Sequence, residues 1–405
     1  MKHVYACLLV LLVARPLAAQ TLLNFTPRGT IPDGGRYGMG YCLDASAFFL
    51  MGGGSPSTAF NSSVYAYEPV GGTWVLGSAS STLTPQRWAT MVLAASGSAG
   101  TPRLFILNGA TATGAPVPDM QTVNALSGSA GPTFINPTPA VSAGAAVWNN
   151  VIYAFGGQLA NGSYTNQLRA YNATTDTWAT LAPMPEAKAV YGGAAINGKI
   201  YAIGGYNGVV NSARVDAYDI ATNTWQALGT LPTTVSNQAV AVQGEWLWLI
   251  GDFTNQSYLA AYNTRTSQLR TFTSTLPPRR NAAAAFRNGL LYVWGGNTAS
   301  ANSSTLADVW AVNVSTVLAA GGAVSAPVLR AFPNPAVAGL TTLDLPTGTR
   351  AVEVYDVLGR KVVTAEPAMG AANWLLDLRE QRAGIYFVRV RTAHGLSGAC
   401  RVERQ

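Results

Sequence analysis

Histidine is the scarcest reactive side chain in this sequence. Of 405 residues only His3 and His394 carry an imidazole, and residues 21–325 have none. Nucleophilic catalysis by Ser/His or Cys/His needs that base beside the nucleophile. Copper and zinc sites built there would lose their commonest nitrogen ligand. Cysteine is as sparse, with Cys7, Cys42 and Cys400. That is too few for a disulfide framework or a Cys-rich metal site, so unbridged thiols are expected. Carboxylates are present but scattered: Asp44, Glu68, Asp119, Asp176, Glu186, Asp216, Asp219, Glu245, Asp252 and Asp308. None falls in a D-x-D-x-D-G calcium loop. Asp176 and Asp219 lie in or beside polar turns, where capping is the expected role. No metal and no cofactor is expected.

The elements that must position these groups repeat. Six apolar runs end on a glycine pair or a degenerate form of it: FFLMGG (48–53), LFILNG (104–109), IYAFGG (152–157), IYAIGG (200–205), LWLIGD (247–252) and LYVWGG (291–296). Gly156, Gly204, Gly251 and Gly295 follow one another at intervals of 48, 47 and 44 residues. A period of that length signals a solenoid, a propeller or an array. The fullest copies, 145–185 and 194–232, each parse into four short strands. The first hairpin turns at Asn149-Asn150 or Asn197-Gly198, type I′ signals. The second strand ends on the glycine pair, the third carries a tyrosine, and the fourth runs from a tryptophan to a proline. Tyr67–Trp74, Tyr171–Trp178 and Tyr218–Trp225 are all seven apart, and Tyr262–Leu269 keeps the spacing. Such rings are expected to pack between neighbouring sheets, and the glycines to permit close backbone approach. Asp252 replaces a motif glycine and could face a ligand.

Composition agrees with an all-β chain. Charged residues are 11%, aromatics 10%, and glycines number 42, which favours short strands and tight turns over helices. Residues 1–19 read as a signal peptide: Lys2 and His3, an apolar stretch from Val4 to Ala14, then Ala18 and Ala19. No later segment is long and apolar enough to span a bilayer as a helix. Net charge is +7, and losing Lys2 and Arg15 leaves +5. Residues 21–325 hold 13 basic and 11 acidic side chains with no basic run, so nucleic acid is not an expected partner.

The order of apolar run, Gly-Gly, Tyr and Trp resembles the kelch repeat over roughly 21–316. The copy at about 88–137 is the weakest, with Asn108-Gly109 and no Tyr/Trp pair. The resemblance implies a six-bladed β-propeller over residues 20–316. The last copy stops at ADVWAVNVST (307–316) without its fourth strand. Phe25 to Pro32 reproduces the seven-residue Trp-to-Pro spacing of the other copies. Residues 21–28 are therefore expected to supply the missing outer strand of blade six and hide its edge. Kelch-type copper oxidases use histidine and tyrosine ligands with a cross-linked cysteine, a set this chain cannot assemble. Sialidase-type S-x-D-x-G-x-x-W boxes are absent.

Residues 317–329 read as a linker. Beyond it the character changes: 330–405 holds 17 of the 43 charged residues, 10 basic and 7 acidic. Segments 351–364, 373–378 and 384–392 alternate as antiparallel strands do. The series FPNP (332–335), VYDVLGR (354–360), LDL (376–378) and AGIYFVRV (383–390) resembles the C-terminal sorting domain of type IX secretion cargo in Bacteroidetes. That resemblance implies an immunoglobulin-like sandwich, export through the outer membrane by the type IX machinery, processing by a sortase, and a final place on the cell surface or outside the cell. The tail departs from the pattern at Cys400.

In kelch propellers ligands usually sit on the face built by the loops before the first strands and after the glycine pairs. The first set here offers Arg36, Arg87, Lys188, Arg279 and Arg280. The second offers Gln158, Tyr206, Asn207, Phe253 and Asn297. The candidate binding set is Arg36, Arg87, Lys188, Tyr206, Phe253, Arg279 and Arg280, suited to an acidic or hydroxyl-rich ligand by charge-assisted bonds and stacking. The expected function is non-catalytic binding of a glycan or a protein. The rival is a kelch-type carbohydrate isomerase or lyase working without metal or histidine, which would need a carboxylate and an arginine converging at the pore mouth. A purely architectural surface protein is a third reading.

One measurable consequence follows from the missing imidazoles. The purified mature protein is expected to hold no stoichiometric copper or zinc after treatment with a chelator. Metal analysis by mass spectrometry checks this, and a retained equivalent of either ion refutes it.

Overall fold

The computed structural model describes residues 21–405 apart from 44–46, 56–62, 70, 77–90, 97–101, 125–126, 128, 300–303, 316, 321–328, 346–348, 357–359, 369–370 and 393–396. Residues 1–19, expected above to be a signal peptide, Arg87 and His394 therefore lie outside the described residues. The chain divides into two compact units, one ending at Val314 and one starting at Ser315. Among the described residues no helix is long and apolar enough to cross a membrane.

The first unit is a propeller of six four-stranded antiparallel sheets. Five of them are sequential meanders. In the third blade, for example, Gly144–Trp148, Val151–Phe155, Leu168–Asn172 and Thr177–Leu181 pair in chain order. The hairpin turns are set by residues that accept left-handed backbone: Asn149 and Asn150 have φ of 46° and 63°, Asn197 and Gly198 51° and 74°. Both central residues of a type I′ turn need positive φ, and Asn and Gly supply it at least cost. The innermost strands Gly40–Leu43, Met91–Ser96, Gly144–Trp148, Ala194–Ile196, Ala239–Gln243 and Ala283–Arg287 each adjoin the next around the axis, and the last adjoins the first.

The constant Tyr/Trp interval is a register. Tyr67 stands directly opposite Trp74, Tyr171 opposite Trp178, Tyr218 opposite Trp225 and Tyr262 opposite Leu269. Each pair leans on the sheet before it. Tyr171 packs on Phe105 and Phe134 of blade two, with ring centroids 5.7 Å apart in both cases. Trp225 packs on Phe155 of blade three, and Tyr67 on Tyr292 and Trp294 of blade six. Leu269 packs on the apolar cluster that joins blade four to blade five, which includes Tyr201 and Ile203. Large aromatic rings at these gaps bury much area for little side-chain entropy, so they dominate the cohesion between blades.

The sixth sheet is composite. Its strands run in the order Thr26–Thr30, Asp308–Asn313, Leu290–Trp294, Ala283–Arg287. The N-terminal residues thus supply its outer strand, but at 26–30 instead of 21–28. Leu22–Leu23 pair in parallel with Thr273–Ser274 at the edge of blade five. Phe25, buried at the crossing, donates its amide to Thr275 Oγ1 at 2.9 Å. The shift has a physical cause: Phe25 matches the Trp position by spacing, yet it is spent on filling the gap between two blades. Tyr67 of blade one then donates its hydroxyl to the Arg28 carbonyl at 3.0 Å.

The second unit contains seven strands in the order Lys361–Ala365, Thr349–Asp356, Gly384–Thr392, Ser397–Arg404, Arg330–Val337, Leu340–Asp344, Asn373–Asp377. Their alternation is strict enough to make one apolar core, with Leu343, Val352, Val354, Leu376, Val388, Val390 and Val402 all buried. The stretch 351–364 resolves into two strands, and the tail that includes Cys400 pairs along Gly384–Thr392. Burial raises the Cys400 thiol to about 11, so it stays protonated and unreactive at neutral pH. A four-residue helical turn, Val317–Ala320, opens the unit.

Removal of residues 21–30 leaves Asp308–Asn313 as an open edge, unpairs Thr273–Ser274 and takes the buried Phe25 away. The shortened propeller is expected to lose ~3 kcal/mol or more against urea, the scale of losing a packed strand. An unchanged denaturation midpoint contradicts the pairing described here.

Candidate functional site

The glycine pairs fix the geometry from which any site is built. At four junctions the second position of a pair donates its N–H to a carbonyl just ahead of the next blade's innermost strand: Gly109 to Ala140 at 3.3 Å, Gly157 to Lys188 at 2.9 Å, Gly205 to Val235 at 2.8 Å and Gly296 to Arg36 at 2.7 Å. The first glycine packs on the same group. A Cβ on Gly156, Gly204, Gly251 or Gly295 would run into the carbonyl of Lys188, Val235, Arg279 or Arg36. Their φ values of 54° to 70° add strain to any replacement. Blade two uses Asn108 in the first place, at φ 63°, and its Oδ1 accepts the Ala140 amide.

That arrangement decides the fate of the basic residues. Arg36 and Lys188 stand at accepting positions and Arg279 at the equivalent place against Gly251, and all three are 0% exposed. Arg36 Nη1 donates to the Gly52 and Ser63 carbonyls at 3.2 and 3.3 Å, its Nε donates to Asp33, and its guanidinium lies 4.9 Å from the Tyr65 ring. Arg279 Nη1 donates to the Gly295 carbonyl at 2.9 Å and to Asp308 Oδ1 at 3.0 Å. Lys188 Nζ lies 3.4 Å from Glu186 and 3.6 Å from Asp216. Arg36 and Arg279 hold the Gly52 and Gly295 bends to their own blades, whereas Lys188 is placed between the carboxylates of Glu186 and Asp216. All three are corrected from rim residues of a ligand face to internal braces: the arginines reach carbonyls that a bent backbone leaves for a long donor, and the lysine meets buried negative charge.

Arg280 is different in partners though nearly as buried, at 6% exposure. Its guanidinium sits 4.2 Å from the centroid of the Phe253 ring. Burial holds it below arginine's ordinary value, against the pull of Tyr191 and Asp252. Phe253 itself is 49% exposed. Asp252, which replaces a glycine, accepts the amides of Ser236, Thr254 and Asn255 at 2.7, 2.9 and 2.9 Å. Its carboxylate therefore shapes the turn that presents Phe253 and is not free to face a ligand. Asn207 plays a like part, accepting the Val209 and Val210 amides. Gln158 Nε2 donates to the Gly162 carbonyl within its own loop.

Sequence spacing missed the mouth of the central channel. Gly38, Ser142, Tyr191, Asn237 and Asn281 each take positive φ, between 53° and 58°, just ahead of an innermost strand. Their backbones link across blades: Gly38 N–H to Asn281 O, Asn281 N–H to Asn237 O, and Tyr191 N–H to Ser142 O. Asn237 Nδ2 donates to Asn281 Oδ1 at 2.8 Å, and Asn281 Nδ2 to Asn297 Oδ1 at 3.0 Å. Burial pushes the Tyr191 phenol up, with Tyr164 adding to it and hydrogen bonds from Ser142 and Asn237 opposing it. Tyr164 and Tyr206 meet edge to face at 5.8 Å, and Tyr206 donates its hydroxyl to the Gly208 carbonyl. The only signal in the sequence was a polar or glycine residue shortly before each small-residue strand, a weak one that tyrosine breaks. Behind the mouth runs a cavity of about 350 Å³, lined among the described residues mainly by alanines such as Ala145, Ala194, Ala241 and Ala284. Tyr41 also lines it, its hydroxyl donated to the Val240 carbonyl at 3.0 Å.

The face is thus aromatic and amide-rich. Of the seven expected binding residues, Phe253 and Arg280 are in contact here, and Tyr206 packs on Tyr164. Arg36, Lys188 and Arg279 do not join them, and Arg87 lies outside the described residues. Replacing Arg279 by Met leaves Asp308 and the Gly295 carbonyl short of a donor. It is expected to cost about 3 kcal/mol of propeller stability, as when one partner of a buried pair is removed. Chemical denaturation checks this, and a loss below about 0.5 kcal/mol, typical of a surface change, overturns the bracing role.

Two family matches bear on this architecture. Residues 102–268 match the KLHDC2/KLHL20/DRC7 Kelch-repeats domain. Residues 330–398 match the Secretion system C-terminal sorting domain. Among curated relatives, Kelch-like protein terF of Aspergillus terreus is 29% identical over 191 residues, 42% of this chain and 41% of its own length. Kelch-like protein 35 of Mus musculus is 31% identical over 25% of this chain and 17% of its own. Kelch repeat and BTB domain-containing protein 2 of Ectromelia virus is 31% identical over 26% and 19%. The chain spans less than half the length of these relatives. The repeats, the closed ring of blades and the two family matches converge: residues 102–268 are kelch repeats within a six-bladed β-propeller, and residues 330–398 are a secretion-system C-terminal sorting domain.

Proposed function

We propose that this protein is a non-catalytic binding module, exported by its sorting domain and displayed on the cell surface or released. The observation that carries the binding reading is the half-exposed Phe253 ring over Arg280, with its amide donated to the Ser236 carbonyl next to the Asn237–Asn281–Asn297 amide chain, at a channel mouth whose described charged groups are engaged internally. Concave sites with aromatic walls and a few convergent polar groups are the usual form of a ligand pocket. An enzyme would need a free carboxylate near Arg280. Asp252 is in electrostatic reach of it, yet accepts three backbone amides. In this reading residues 1–19 are a cleaved signal, and the second unit is an immunoglobulin-like sandwich that engages type IX machinery and a sortase. The ligand is a glycan or a protein.

Two experiments test it. Full-length protein is presented to a glycan array and to a peptide display library, beside a Phe253→Ala/Tyr206→Ala variant. Capture by either library is expected, with the double variant weakened by about tenfold or more, since aromatic anchors carry most of a site's affinity. Capture that the double substitution leaves unchanged removes the site from this face. Deletion of 330–405 in the native host is expected to leave the propeller inside the outer membrane, and its normal appearance outside the cell refutes the export assignment.

A further inference from the structure

The chemistry of the channel mouth narrows the ligand class. Charge comes first. Every described cation placed at this end by the repeat is already used: Arg36 and Arg279 on carboxylates and carbonyls, Lys188 between two carboxylates, Arg280 beneath the Phe253 ring. Among the described residues an acidic ligand would find no accessible charge to replace its lost hydration, which makes its burial here costly.

Tyr191 is the second observation. At its place the other described blades use Gly38, Ser142, Asn237 and Asn281, residues that enter left-handed backbone at modest cost. A tyrosine at φ 58° is an outlier for a bulky side chain. Such strain persists where the surroundings hold it and clusters at ligand sites. Here it sets a half-buried phenol at the mouth, hydrogen-bonded with Ser142 and Asn237 and within electrostatic reach of Tyr206 and Arg280.

The third is valence. Each asparagine amide has two N–H donors and a carbonyl oxygen with two lone pairs. Asn237 and Asn281 spend one N–H each along the amide chain. What remains at the mouth is neutral and both donates and accepts. Sugar hydroxyls are the complement of that set, and the apolar face of a sugar ring is the complement of the Phe253 ring.

Resting on the binding reading above, we infer that the mouth takes a neutral, hydroxyl-rich saccharide, with one sugar ring against Phe253 and its hydroxyls shared between the Tyr191 phenol and Asn237.

The test uses full-length protein in affinity electrophoresis through gels containing laminarin, pullulan, xyloglucan or galactomannan, with alginate and polygalacturonate as acidic counterparts. At least one neutral polymer is expected to retard the protein. Its affinity should change less than about twofold when salt rises from about 50 to about 500 mM, since no exposed ion pair is involved. Tyr191→Phe keeps the ring and the backbone strain but removes the hydroxyl, and is expected to weaken binding about tenfold, the upper range for one neutral hydrogen bond. Equal thermal midpoints for wild type and variant exclude misfolding as the cause. Retardation by the acidic polymers alone, or capture by peptides alone, lost in either case with Phe253→Ala, overturns the saccharide inference while leaving the binding face in place. Neutral binding indifferent to both Tyr191→Phe and Phe253→Ala overturns the face itself. Failure of every neutral polymer to bind overturns the inference.

Discussion

One backbone hydrogen bond, repeated from blade to blade, organises the propeller. A glycine amide at the end of one sheet meets the carbonyl that precedes the innermost strand of the next. At the four described junctions the donor is a glycine at φ of 89° to 105°, backbone that favours glycine, and in three of them the glycine before it packs against the acceptor carbonyl itself. The consequences spread outward. The bend that frees the amide also turns carbonyls such as those of Gly52 and Gly295 toward the gap, and buried carbonyls must be satisfied. Arg36 and Arg279 reach them. The same bend launches the loop that opens with Tyr206 or Phe253. Scaffold and binding surface are therefore two sides of one turn.

Degenerate copies of the motif show the limits of the rule. Asn108 can replace the first glycine because asparagine tolerates positive φ, and its side chain then caps the neighbouring amide itself. Asp252 can replace the second because its carboxylate stands in for a carbonyl and gathers three amides. In both blades a side chain takes over work that backbone does elsewhere, and in blade five the outcome is a rigid turn carrying an exposed phenylalanine.

The fold was legible because its signals are local and repeated. A fixed Tyr-to-Trp interval is a two-strand register, Asn-Gly is a turn, and Gly-Gly at a constant period is a blade. The composite last blade could be read from a missing strand and a spacing match, though the match placed Phe25 in the ladder and the structure places it in the gap. The site was less legible. A basic residue ahead of a strand looks the same in sequence whether it faces water or a carbonyl. The clue that separates the two, an acidic group within reach such as Asp308 for Arg279, lies 29 residues away. Tyr191 carried no signal at all, since nothing local marks a tyrosine as left-handed.

The composite blade also ties the order of folding to the order of synthesis. Thr26 meets Ala311 across 285 residues of chain, so Thr26–Thr30, synthesised ahead of all six innermost strands, is among the last to find its partner. Contacts of such separation are slow to form, because loop closure must precede any gain from them. Five meander sheets can assemble as their residues arrive, yet the ring stays open until Asp308–Asn313 is present. Until then the edge of blade six and the rings of blade one lack their neighbours. Completion of this propeller is a single late event, and the small N-terminal segment acts as its latch.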